Sequence, residues 1–87
     1  MYQFEFDLKK SHANGLKHGI DFVEGQRLWQ DIDRLEIPAR TDDEPRSIIV
    51  GRIGAKYWSA VVTYRQEKTR IISIRPARRS ERDLYEG

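Results

Sequence analysis

Residues 2–6, YQFEF, alternate apolar and polar side chains, the period-2 pattern of a half-buried strand. Asp7 then supplies a helix N-cap, and the spacing predicts a helix to about His18, with Gly19 available just past its end. Asp21 and Glu24 have capping-box spacing, with Asp in place of Ser or Thr. They open a second predicted helix, Phe22 to about Leu35, that would bury Phe22, Leu28, Trp29 and Ile32. From Ile37 to Pro45, two prolines and an acidic run predict a loop or a ragged edge strand. The period then becomes extended. RSIIVGRIG, KYWSAVVTYR and TRIISIR read as three strands of an antiparallel meander. Pro76 has no N–H for the ladder and closes the last strand, after which a short C-terminal helix is expected. The pattern as a whole predicts a single α+β domain over residues 1–87: two N-terminal helices packed on one face of a small antiparallel sheet, then a short C-terminal helix.

Two helices are too few to cover both faces of a four-stranded sheet, so one face is expected to stay partly open. Strand parity puts Ile72 and Ile74 on one face of the last strand, and Ile71, Ser73 and Arg75 on the other. In the strand before it, Val62 and Tyr64 alternate with Val61, Thr63 and Arg65. Arg65 and Arg75, with polar neighbours Thr63 and Ser73, are therefore expected on the open face.

Eighty-seven residues suit one small core. No stretch approaches the ~20 apolar residues of a membrane span, and MYQFEFDLKK lacks an apolar signal core, which predicts a cytoplasmic protein. The absence of cysteine excludes disulfides, thiolate zinc sites and a cysteine nucleophile. Net charge is +2, but its distribution is uneven: residues 1–44 hold 6 Lys+Arg against 10 Asp+Glu, and residues 45–87 hold 10 against 4. The second half can attract a polyanion.

Candidate chemistry is sparse. His12 and His18, six residues apart on a helix, do not share a face and form no metal pair. The TDDE run at 41–44 reads as an exposed acidic loop, and no Gly-rich phosphate loop or nucleophile elbow is present. What remains is cofactor-free and metal-free phosphoryl chemistry on RNA, which carries its own 2′-OH nucleophile and needs a base, cations on the phosphate and an acid for the leaving oxygen. His18, Glu24, Lys17, Tyr64 and Tyr85 are the available proton handlers, and Arg65, Arg75 and Arg79 the available clamps. Tyr57, Trp58, Tyr64 and Tyr85 are interleaved with the basic residues and suit base stacking as well as core packing. Lys10, Asn14 and Lys17 are explained equally well as a solvated helix face.

Several motifs in order, FEFD at 4–7, N-x-x-KHGI-x-F-x-E from Asn14 to Glu24, VVTYR at 61–65, RIISIRPA and ER-x-x-YE up to Glu86, resemble the BrnT family of bacterial toxins over nearly the whole chain. The resemblance implies a RelE-like fold and a ribonuclease that blocks translation. It also implies neutralisation by a BrnA-like antitoxin that carries a ribbon-helix-helix region, so that operator DNA is met only through the complex. Lys17, His18, Gly19, Glu24, Thr63, Arg65, Ser73, Arg75, Glu81, Arg82 and Tyr85 fall on family positions. Taken with the chemistry above, the expected catalytic set is His18, Glu24, Arg65, Arg75 and Tyr85, and the expected RNA-binding set is Lys17, Arg52, Tyr64, Arg78 and Arg79. The alternative is a non-catalytic module that supports a DNA-binding partner as corepressor. There are departures from the pattern: Phe6 replaces a common tryptophan, Gly25 a usual alanine, and Arg78 a frequent Ser or Thr. The last change removes the usual capping box, for which Ser80 with Asp83 is the expected replacement. The turn from Arg65 to Arg70 is one residue short.

Overall fold

Five strands form one sheet in the computed structural model, which describes residues 3–39 and 43–87. They are β1 (Phe4–Glu5), β2 (Leu35–Ala39), β3 (Arg46–Ile53), β4 (Lys56–Arg65) and β5 (Lys68–Pro76), in the order β1-β5-β4-β3-β2. The meander β2 to β5 is antiparallel, but β1 runs parallel to β5, pairing Phe4 with Thr69 and Glu5 with Arg70. The sheet is therefore mixed. Tyr2, assigned to the first strand, and Arg40, Thr41 and Asp42 of the predicted loop lie outside the described residues.

This corrects the expected RelE-like arrangement of two N-terminal helices on a small antiparallel sheet. One α-helix, α1 (Leu8–His18), is followed by a 3₁₀ helix at Glu24–Gln30, and a second α-helix, α2 (Arg79–Glu86), lies near the C-terminus. The cause lies in spacing. Phe22, Gly25 and Leu28 are all buried and fall three residues apart, the period of a 3₁₀ helix rather than an α-helix. Gly25 leaves room for the Ile74 δ-methyl, which a Cβ there would strike. Asp31 then accepts the Asp33 N–H at 2.9 Å, turning the chain before Leu35 enters β2. Ile32, expected in the core, is 91% exposed at that turn.

The ends of α1 follow the sequence. Asp7 Oδ1 accepts the Lys9 and Lys10 N–H groups, and Gly19 ends the helix in the left-handed region with φ +78°. Asn14 is not part of a solvated face. It is buried against β5, where its amide donates to the Ile20 and Ile74 carbonyls at 2.8 Å and accepts the Ile74 N–H at 3.1 Å. The side chain pairs with β5 as another strand would.

The β5 parity also differs from expectation. Val61 pairs with Ser73 and Val62 with Ile71, leaving Ile72 as a β-bulge. The extra residue moves Ile71, not Ile72, onto the core face beside Ile74. That core comprises Ile20, Phe22, Leu28, Trp29, Ile49, Trp58, Ala60, Val62, Ile71 and Ile74. The short Arg65-to-Arg70 connection is a two-residue turn in which Gln66 and Glu67 both have positive φ, 50° and 66°, as a twisted tight hairpin requires. Among the described residues, no helix is long and apolar enough to cross a membrane.

Candidate RNA-contact surface

The second sheet face carries Val50, Ser59, Val61, Thr63, Arg65, Ser73 and Arg75, which the register places side by side across the strands. Arg65 and Arg75 thus share a face with Thr63 and Ser73, as strand parity suggested. They do not converge. Arg75 stands opposite Ser59, six residues along β4 from Arg65, a separation of roughly 20 Å at strand rise. Each already holds a carboxylate. Arg65 binds Glu44 through Nε and Nη2 at 3.0–3.3 Å, with half of its side chain exposed. Arg75 binds Glu81 bidentately, both contacts 2.8 Å, where both side chains are largely buried.

Glu81 organises α2. Its carboxylate also accepts the Ser59 hydroxyl at 2.9 Å and the Arg78 N–H at 2.7 Å. The last bond is the N3-to-N-cap half of a capping box; arginine has no acceptor to return the other half. The helix therefore starts at Arg79, and the expected Ser80–Asp83 cap is not used. The Arg75 bond, set against burial and joined by the Arg78 and Ser59 bonds, pulls the Glu81 carboxyl down to about 2.

One turn further on, Arg82, Tyr85 and Glu86 meet the start of β4. Lys56 and Tyr57 follow a two-residue turn at Gly54 (φ +62°) and Ala55, which brings Arg52 directly opposite Tyr57. The Tyr57 hydroxyl donates to Glu86 Oε2 at 2.7 Å. Its ring meets Tyr85 edge-to-face with centroids 5.6 Å apart. The Arg82 and Arg52 guanidinium carbons lie 4.5 and 5.4 Å from the same ring centroid. The Glu86 bond raises the Tyr57 pKa, so the phenol stays protonated.

Asp31 ties this cluster to the loop after the 3₁₀ helix. It accepts the Tyr85 hydroxyl at 2.7 Å and the Arg52 N–H at 2.8 Å, in addition to the Asp33 N–H. Gly51 permits the approach: a Cβ there would sit 3.1 Å from Asp31 Oδ2. Burial opposes ionisation of Asp31, yet the Arg52 and Tyr85 bonds hold its carboxyl below the ordinary range. The same bond, with burial, pushes Tyr85 up to about 12.

Beside Tyr57 opens a cleft of about 440 Å³ lined by His18, Lys56, Tyr57, Trp58, Ala77 and Arg82, among others. Of the expected residues, His18 lies in this cleft, Arg52 and Tyr85 adjoin it, and Lys17, Arg78 and Arg79 stand on the ends of the helices that flank it. Glu24 faces solvent and pairs with Arg27 at 3.5 Å. Arg65 and Tyr64 sit at the opposite end of β4, where Tyr64 donates to Glu36. The expected set omitted Tyr57, Arg82, Lys56 and Asp31. Tyr57 and Arg82, like the expected Tyr85 and Arg52, were visible as interleaved types, but only the β3–β4 register and the packing of α2 bring the four together. Among the described residues, no three His, Asp or Glu side chains gather into a metal-binding group.

Comparison with curated sequences yields no matching relative. A family profile does match, over residues 6–81, and it takes in the α1 cap, the Arg75–Glu81 pair and the cleft lining up to Ala77, with Arg82 just past its end; the chain belongs to the BrnT family, the ribonuclease toxins of type II toxin–antitoxin systems.

Proposed function

We propose that the protein cleaves RNA without a metal, in the cytoplasm, at the cleft beside Tyr57, and thereby blocks translation. The observation that supports this most is the pair of guanidiniums, Arg52 and Arg82, on one half-buried tyrosine ring at the mouth of a cleft that also holds His18 and Lys56. This donor set is an imidazole, an ammonium, a phenol and guanidiniums, which suits proton transfer and neutralisation of a phosphate.

In this reading His18 removes the 2′-OH proton, and the 2′ oxygen attacks the adjacent phosphorus. Arg82, Arg52 and Lys56 neutralise the charge gathering on the phosphate oxygens. The bond to the 5′ oxygen breaks, and that oxygen takes a proton from Lys56 or the Tyr57 phenol. The products are a 2′,3′-cyclic phosphate and a 5′ hydroxyl. Arg75 acts through Glu81, which fixes α2 and with it Arg82; it is a positioning residue rather than a clamp. Lys17, Arg78 and Arg79 extend the cationic surface along the RNA backbone. Membership of a type II system brings an antitoxin partner. A BrnA-like protein whose acidic or amphipathic segment covers this cationic surface would neutralise the toxin, and the complex would reach operator DNA through the antitoxin.

Purified protein incubated with RNA in EDTA is expected to yield 2′,3′-cyclic phosphate ends, and His18→Gln to slow cleavage by about 10²–10⁴-fold with an unchanged circular dichroism spectrum. A strict magnesium requirement would overturn the metal-free route. Harmless expression of well-folded protein, with operator binding that still depends on it, would favour the corepressor module instead.

A further inference from the structure

On the far side of the Tyr57–Tyr85 pair lies a second depression, of about 350 Å³, with different chemistry. Arg27, Gln30, Asp33, Arg52, Gly54 and Tyr85 contribute to its walls. Asp31, at its base, has its carboxylate committed to Tyr85, Arg52 and Asp33. The Asp33 carboxylate, by contrast, accepts no hydrogen bond among the described residues; only its backbone N–H is engaged. It is exposed, close enough to help raise the Tyr85 pKa, and lines the depression together with Gln30. Arg52 lines this depression and adjoins the first cleft through Tyr57, over whose ring its guanidinium lies.

We propose that this depression is a nucleobase subsite that selects guanine. The inference rests on the neighbouring cleft being where RNA is cut. Guanine presents two adjacent donors, N1–H and the N2 amino group, on one edge. A carboxylate, an acceptor with two oxygens, meets both at once. Adenine and cytosine offer that carboxylate a single amino donor, and uracil a single ring N–H between two carbonyls. The Gln30 amide can donate to guanine O6, and the flat Arg52 guanidinium supplies a face on which the base stacks. Gly54, with no side chain, leaves the rim open.

Titration of the wild-type protein with the four nucleoside 3′-monophosphates tests this without requiring turnover. The guanosine compound is expected to bind about tenfold or more tightly than the adenosine one, in line with a well-made bidentate contact. Asp33→Asn should erase the difference, and as an exposed substitution it should leave the fold intact. Mapped cleavage sites should follow guanosine in the wild type and spread over all bases in the variant. Equal binding of the four compounds, or a guanosine preference that survives Asp33→Asn, overturns the proposal. RNA cleaved alike after every base leaves the ribonuclease reading standing and removes this one. An Asp33-dependent guanosine preference in a protein that cuts no RNA does the reverse.

Discussion

α1 and α2 are both held to the sheet, but by opposite means. α1 lies on the core face, where Ile20 and Phe22, just beyond its end, join an apolar cluster and buried Asn14 completes the β5 hydrogen bonding. α2 rests on the other face through charged and phenolic pairs: Glu81 with Arg75 and Ser59, Tyr85 with Asp31, and Glu86 with Tyr57. Its largest aliphatic side chain, Leu84, is 60% exposed. Apolar burial is non-directional and tolerates small displacements, whereas carboxylate–guanidinium and phenol–carboxylate bonds fix a helix in rotation and register. The first attachment makes the fold. The second sets Arg82 and Tyr85 around Tyr57, which is what a binding surface needs.

The largest expected effect tests the α1 attachment. Asn14→Ala strands the Ile74 N–H and C=O and the Ile20 C=O without partners and should cost about 3 kcal/mol or more in urea unfolding, a large share of the stability of a small domain. A loss below about 1 kcal/mol would mean that apolar burial alone holds α1.

Glu81→Gln tests the α2 attachment, with an expected loss on the order of 2 kcal/mol at neutral pH and reduced RNA cleavage. Its pH dependence is the sharper measurement. The folded carboxyl titrates near 2, below the ordinary 4.5, so the folded state favours the ionised form. That contribution is complete above about pH 4.5 and is lost as the pH falls towards 2. In that window the α2 amide resonances should broaden or shift before those of α1, and the Glu81→Gln protein should lack the transition. Simultaneous loss of both helices would erase the distinction drawn above.

The smallest effect is expected at the far end of β4. Arg65→Ala breaks a half-exposed pair with Glu44 and should change stability by less than about 1 kcal/mol. If the cleft beside Tyr57 is the site, cleavage should be nearly unaffected; a loss comparable to that of His18→Gln would move the site along the sheet.

Local signals in the chain settle much of the architecture. The Asp7 cap, the Gly19 terminus, the three meander strands and the Pro76 stop are properties of a few adjacent residues, and each takes the expected form. Arg65 and Arg75 do share one face as expected, but parity within each strand only allows this; the β4–β5 register decides it. Where the reading failed, a distant partner decided. Phe22 to Leu28 satisfies both an α-helical and a 3₁₀ spacing, and the closeness of Gly25 to Ile74 together with the Asp31 turn selects the second. The Ile72 bulge puts Ile71 in place of Ile72 on the core face beside Ile74, and no alternating pattern announces an inserted residue. Asn14 has the spacing of a surface residue until β5 is placed beneath it. The site is the extreme case. Arginine and tyrosine are abundant along the second half of the chain, and their types alone suggest a polyanion. Which of them meet depends on the Arg52–Tyr57 register across the β3–β4 turn and on a helix anchored by Glu81, whose Ser59 partner lies 22 residues away in the chain. Residue type fixes what a side chain can do, but only the tertiary structure brings it within reach of its partners.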